Sequence, residues 1–332
     1  MTVFNNIPTN KKTRGFAIGA LVLTFVAIIL RTVSLLAFFE ADIGYYQRGA
    51  VLPIIFNILC GAAIALFIVL PLVTLKKKEA VIPRHAKATR TAALIPVAAL
   101  AIMAWNRWQS ALETLKSGAE VSVIKTALPP LLILAALTFF VAACVGFERS
   151  ALTAISGTLT IVMFASELAI SYRDLSVALN NPNKMLFHFT CLSAMFFLLY
   201  ELRVIYGTSK ARLWLFSTAF AAFMLGCYSV PSIIAHLAGA CESFDLRTDV
   251  AFAAIFLFVV VRMLTALFGK EEPEEEKEEN ESNEENEDSD DVTISAEIEF
   301  ESEIEVEAES EDAEDTEITE EPEEKTETQE NQ

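Results

Sequence analysis

Four ionisable residues stand inside long apolar stretches, and they are the first place to look for chemistry: Arg31, Glu167, Glu201 and Arg262. An Arg or Asp at the centre of a membrane helix costs roughly 2.5 to 3.5 kcal/mol on insertion scales, so such a charge demands a partner or water. Along their stretches, Arg31 lies just outward of the middle and Glu167 in the outer third. Glu201 lies in the inner third and Arg262 just inward of the middle. The matched depths lead us to expect an Arg31–Glu167 pair and a Glu201–Arg262 pair. Pairs of this kind either line a polar pathway or staple helices together, and long side chains near helix ends also reach headgroups at little cost.

His188 and His236 lie near the outer ends of their stretches, at a depth like that of Glu167. Two imidazoles and a carboxylate on separate helices can hold a metal or relay protons; an interfacial His is also an ordinary polar helix end. No nucleotide loop of the form G-x-x-x-x-G-K-[ST], no H-E-x-x-H and no G-x-S-x-G occurs. We therefore expect no catalytic residue, metal or cofactor. Five cysteines without a C-x-x-C give neither a zinc site nor a disulfide framework.

The elements that must position these residues are membrane helices. A spanning helix needs roughly 20 mostly apolar residues, because the hydrocarbon core is about 30 Å thick and each residue rises about 1.5 Å. Eight stretches qualify, at about 16–39, 51–75, 91–108, 128–147, 151–170, 185–206, 212–236 and 249–269. The third is short and Ala-rich, and the fourth and fifth are separated by Glu148, Arg149 and Ser150 alone. Lipid leaves a chain only helices or closed barrels, and these stretches lack the alternation of barrel strands. The expected fold is an all-α integral membrane bundle of about eight transmembrane helices over residues 1–270.

Lysines and arginines in alternate loops number 14 on one side, beginning with Lys11, Lys12 and Arg14 and including the basic loop from Lys76 to Arg90. Seven lie on the other: Arg48, Arg107, Lys116, Lys125, Arg173, Lys184 and Arg247. The excess marks the cytoplasmic face, so both termini are expected there, in a multi-pass protein of the cell membrane. Trp105 and Trp108 read as interfacial belt residues. Pro53, Pro71, Pro96, Pro129, Pro130 and Pro231 mark bends, and Gly15 with Gly19 suits close helix packing.

Residues 271–332 differ in kind. They hold 32 Asp and Glu against Lys277 and Lys325, a net of −30, whereas residues 1–270 carry +11. So little apolar area cannot offset the entropy of ordering, and a disordered acidic tail is expected. Within it, Ile294, Ala296, Ile298, Phe300, Ile304 and Val306 alternate with Ser and Glu. This stretch, within residues 292–307, can add to a partner's sheet edge, although its like charges repel. The tail can fold back on the basic loop or recruit a basic cytoplasmic protein; contact must be close, since screening sets in near about 8 Å. Nucleic acid is excluded, because the tail repels phosphate and the basic residues flank helices. Lipid is the other partner, attracted to the basic loop by about 1 kcal/mol per residue.

The stretch Arg31 to Ile58, RTVSLLAFFEADIGYYQRGAVLPIIFNI, resembles the first hairpin of uncharacterised bacterial polytopic membrane proteins, whose first loop carries an acidic residue followed by Gly and aromatics. It spans under a tenth of the chain and implies no activity. Two functional readings remain: a membrane-embedded assembly or regulatory subunit with a partner-recruiting tail, and a small-solute or ion transporter whose Arg and Glu pairs line the path.

Overall fold

Among the described residues eight helices form, and each is long and apolar enough to cross a membrane. The computed structural model describes residues 11–41, 43–74, 87–117, 123–144, 151–174, 177–206, 210–241 and 245–268. The helices are α1 (Lys11–Phe38), α2 (Val51–Thr74), α3 (Lys87–Lys116), α4 (Val123–Cys144), α5 (Ala151–Arg173), α6 (Pro182–Ile205), α7 (Ala211–Leu237) and α8 (Leu246–Phe268). Between α1 and α2, β1 (Phe39–Glu40) and β2 (Tyr45–Tyr46) pair antiparallel. The chain is thus an all-helical, multi-pass membrane protein. The tail and most of the basic loop, Lys76 to Arg84 and His85 included, lie outside the described residues, as do Arg149 and Lys270.

The eight stretches expected from hydropathy each fall on one of these helices. The largest difference is in α3, which runs 30 residues and is the longest of the eight rather than a short one. Its flanks, with Lys87, Arg90, Glu113 and Lys116, are too polar to register as membrane-spanning, yet they continue the helix. Similarly, α4 starts at Val123, so Pro129 and Pro130 lie within it rather than at its start. Asn181 caps α6 by accepting from the amides of Asn183 and Lys184, with Pro182 in the first turn, where a missing N–H costs nothing.

Helices α3, α4, α5, α6, α7 and α8 each pack against the next, and α8 returns to α3, closing a six-helix ring; α1 packs on α7 and α8, and α2 on α1 and α7. Aromatic rings fill the ring's interior. Phe258 of α8 meets Phe139 of α4 at 5.2 Å and Phe197 of α6 at 6.3 Å between centroids, and Phe252 meets Phe164 of α5 at 5.7 Å. Edge-to-face contacts such as the first two are the favoured geometry of aromatic pairs.

Helix α7 is the most enclosed: 83% of its most apolar window is buried, against 22% for α2. Its run of Ala, Ser, Gly and Cys lets neighbours approach closely. A Cβ at Gly226 would lie 2.8 Å from the Phe256 ring of α8 and 3.1 Å from the Thr24 methyl of α1. Gly226→Ala is therefore expected to cost about 1 to 3 kcal/mol by overpacking. A melting temperature in detergent equal to that of the native protein would refute this close approach. Gly15 and Gly19, by contrast, have open space around them, so the expected packing role of that pair is corrected.

At the end of the bundle where α1 finishes, Gly44 takes φ +72°, a left-handed turn that favours glycine. Its carbonyl accepts from the Asn181 side chain. The two-stranded turn is thereby tied to the α5–α6 connection, and Tyr45 donates to Asn180 across the same joint.

Candidate functional site

The four intramembrane charged residues are all buried, at 1% exposure for Arg31 and Arg262, 2% for Glu201 and 3% for Glu167. They belong to two polar clusters, one toward each end of the bundle.

The first is the Glu201–Arg262 pair expected from depth. Arg262 Nε donates to Glu201 Oε1 at 2.7 Å, and Trp214 Nε1 donates to Glu201 Oε2 at 2.7 Å. The guanidinium also lies over the Trp214 ring, 5.4 Å from its centroid. Both carboxylate oxygens thus receive a charged or aromatic N–H, the arrangement that offsets the desolvation of a buried ion pair. The void beside Glu201, walled by Thr138, Gly157, Phe197 and Leu202 among others, is about 10 Å³, at the lower limit of the room one water needs. Sequence reasoning did not include Trp214, although the last turn of α6 and the first of α7 necessarily meet across a short connection.

The second cluster corrects the other expected pair. Arg31 reaches backbone and amide oxygens, not Glu167. Its Nη1 donates to the Cys227 and Tyr228 carbonyls of α7, and its Nη2 to Asn183 Oδ1 of α6. The reason lies in Pro231. Proline has no N–H, so the carbonyl four residues earlier, that of Cys227, has no helical donor, and Arg31 takes the donor's place. The guanidinium also stands 5.7 Å from the Tyr228 ring centroid. Tyr46 comes down on it from the β1–β2 turn; burial pushes the Tyr46 hydroxyl above its ordinary value, and the Arg31 charge pulls against that shift. Leu35, Ala235 and Cys241, with Phe39 and Tyr46 against them, form a small apolar seal over this end.

Glu167 is instead approached by Arg107 of α3, at 3.8 Å, and Arg107 also pairs with Asp245 at 3.2 Å and donates to Thr248. Arg107 counts in the sequence only as a loop charge marking orientation. The structure makes it the link between α3, α5 and the start of α8.

The histidines do not join this cluster. His188 Nε2 lies 3.1 Å from Ser171 Oγ, beside the Tyr172 and Phe187 rings. His236 is partly exposed at the end of α7, with a buried Nδ1 that has no hydrogen-bond partner among the described residues. Among the described residues no three His, Cys, Asp or Glu converge as metal ligands. Trp105 and Trp108 are exposed at 64% and 47%, as belt residues facing lipid would be.

One residue of this end escaped sequence reasoning. Asp249, in the first turn of α8, is 1% exposed, and among the described residues neither carboxylate oxygen has a hydrogen-bond partner. It lies at the edge of an apolar stretch, where an acid reads as a helix-start residue favoured by the dipole. Only the packing of neighbouring helices against α8 makes it interior. Compared with known proteins, the chain matches no family model, no curated protein and no solved structure.

Proposed function

We propose that the protein is a membrane-embedded assembly or regulatory subunit: an eight-helix anchor whose acidic C-terminal segment, on the cytoplasmic side with the N-terminus, recruits a basic protein. The observation that carries the reading is the closure of the Glu201–Arg262–Trp214 cluster. Every carboxylate oxygen there is occupied by a protein donor, and the interior of the helix ring is filled with phenyl rings. A transport path for a small solute or ion requires the same four charged residues to face water. Charged side chains satisfied by one another act instead as fixed joints between helices.

The chemistry of recruitment is electrostatic. A net of −30 over residues 271–332 against +11 in the remainder attracts basic partners, most strongly at low salt.

The test combines two measurements on the full chain in vesicles. Single cysteines at positions 31, 167, 201 and 262, in a background lacking the native Cys, are expected to resist a membrane-impermeant maleimide added from either side. Residues 1–270 alone are expected to insert normally but to lose capture of a lysine-rich cytoplasmic protein that the full chain retains. Labelling at all four positions would favour the transporter reading, and undiminished capture by the truncated chain would remove the tail's role.

A further inference from the structure

We propose that Asp249 is a proton-binding site, exchanging its proton with the aqueous phase at the end of the bundle marked by Asp245 and Arg107. The inference is independent of the proposed recruiting role. It begins from an acid in an interior position: 1% exposed, with no donor to either oxygen among the described residues. An ionised carboxylate in such a place is among the costliest groups a protein can bury, and taking up a proton removes most of that cost.

The surroundings supply what a reversible proton site needs. From α7, the Tyr228 hydroxyl neighbours the carboxyl; from α1, the Arg31 charge acts on it; and from its own N-terminal side the Asp245 charge does. Tyr228 can donate to the ionised form and accept from the acid form, since a phenol does both. Arg31 does not bond to Asp249 directly, because its described donors are committed to the Cys227 and Tyr228 carbonyls and to Asn183. The carboxyl is therefore not locked in an ion pair, and the neighbouring Tyr228 hydroxyl suits either protonation state.

The exchange route is short. Asp249 N–H bonds to the Asp245 carbonyl, so the two residues are one helical turn apart, and the Asp245 side chain is 48% exposed. Arg107 of α3, itself 37% exposed, bridges Asp245 and Glu167 and donates to Thr248. The formal charges of Arg31, Arg107, Glu167, Asp245 and Asp249 sum to zero with the proton on Asp249 and to −1 without it. The proton comes from and returns to water, with no other reactant.

The experiment is infrared difference spectroscopy of the full-length protein in lipid vesicles, titrated from acid to alkaline pH. The native protein is expected to show a carboxylic-acid C=O band from an interior group that Asp249→Asn abolishes and that Asp245→Asn and Glu167→Gln leave in place. Tyr228→Phe is expected to shift its frequency by removing the neighbouring hydroxyl, which keeps the test open should the Asp249 variant fail to fold. Persistence of the band in Asp249→Asn, its absence from the native protein, or its indifference to Tyr228→Phe would each overturn the proposal. So would a midpoint that moves with sodium concentration, the mark of a metal-cation site.

Discussion

Replacing either Glu201 by Leu or Arg262 by Met is expected to destabilise the bundle by about 3 to 5 kcal/mol, and replacing both together to cost markedly less than the sum. The asymmetry follows from what each change leaves behind. Glu201→Leu takes the carboxylate away from a guanidinium that is 1% exposed and lies over an indole. Arg262→Met takes the guanidinium away from a buried carboxylate that still accepts from Trp214 Nε1. In the double variant both members of the pair are gone, the indole N–H loses its acceptor, and two apolar side chains occupy the space. Breaking a buried pair exposes its desolvation cost, whereas removing the whole pair removes that cost as well.

In a membrane the unfolded reference state also finds partners for polar groups, which draws measured values toward the low end. The double-mutant cycle is nevertheless expected to give a coupling of at least about 1 kcal/mol, the range for residues in direct contact. Reversible unfolding in mixed micelles measures it. Strict additivity of the two substitutions would mean that the 2.7 Å contact contributes nothing. The charge-swapped Glu201→Arg/Arg262→Glu protein is a harsher test and should recover only part of the loss, because Trp214 can donate to a carboxylate but not to a guanidinium.

The eight helices are legible from hydropathy because lipid imposes a length and forbids irregular backbone. Depth alone also brought Glu201 and Arg262 together, since two charges at one level on facing helices have few other ways to be satisfied. The same logic failed for Arg31 because its partner is a backbone carbonyl, and carbonyls are invisible in a list of side chains. A signal was present all the same: Pro231 lies in the seventh stretch, and subtracting four gives Cys227, the acceptor left without a donor. Glu167 was misassigned for the complementary reason. Arg107 lies near the end of an apolar stretch and scores as a loop charge, but α3 continues to Lys116 and carries Arg107 on a helix rather than in a loop. Asp249 is polar at a helix boundary, and whether such a residue is inside or outside depends on neighbours that no single stretch specifies. Tyr46 is likewise half-buried only because a two-stranded turn, held by Gly44 and Asn181, folds it down toward Arg31.

Arg31→Met is expected to destabilise the bundle by about 3 kcal/mol, and most of that loss should disappear when Pro231 is also replaced by Ala. Arg31 joins α1 to α7 and α6 through the Cys227 and Tyr228 carbonyls and Asn183. Each buried acceptor left without a donor costs about 1 to 3 kcal/mol. The Tyr228 carbonyl keeps the Ser232 hydroxyl, which donates to it at 2.7 Å, and Asn183 lies near the end of the bundle, so the Cys227 carbonyl carries most of the penalty. With Ala at 231 an N–H returns to position i+4, and the helix satisfies that carbonyl itself. A cycle of Arg31→Met against Pro231→Ala should therefore show a coupling of about 1 to 2 kcal/mol, inside the range for groups sharing a partner. If Arg31→Met costs the same in both backgrounds, Arg31 is held by something other than the gap that proline opens. Arg31→Lys is expected to fall between native and Met, since a single ammonium can reach the carbonyls or Asn183 but lacks the planar fork that serves both.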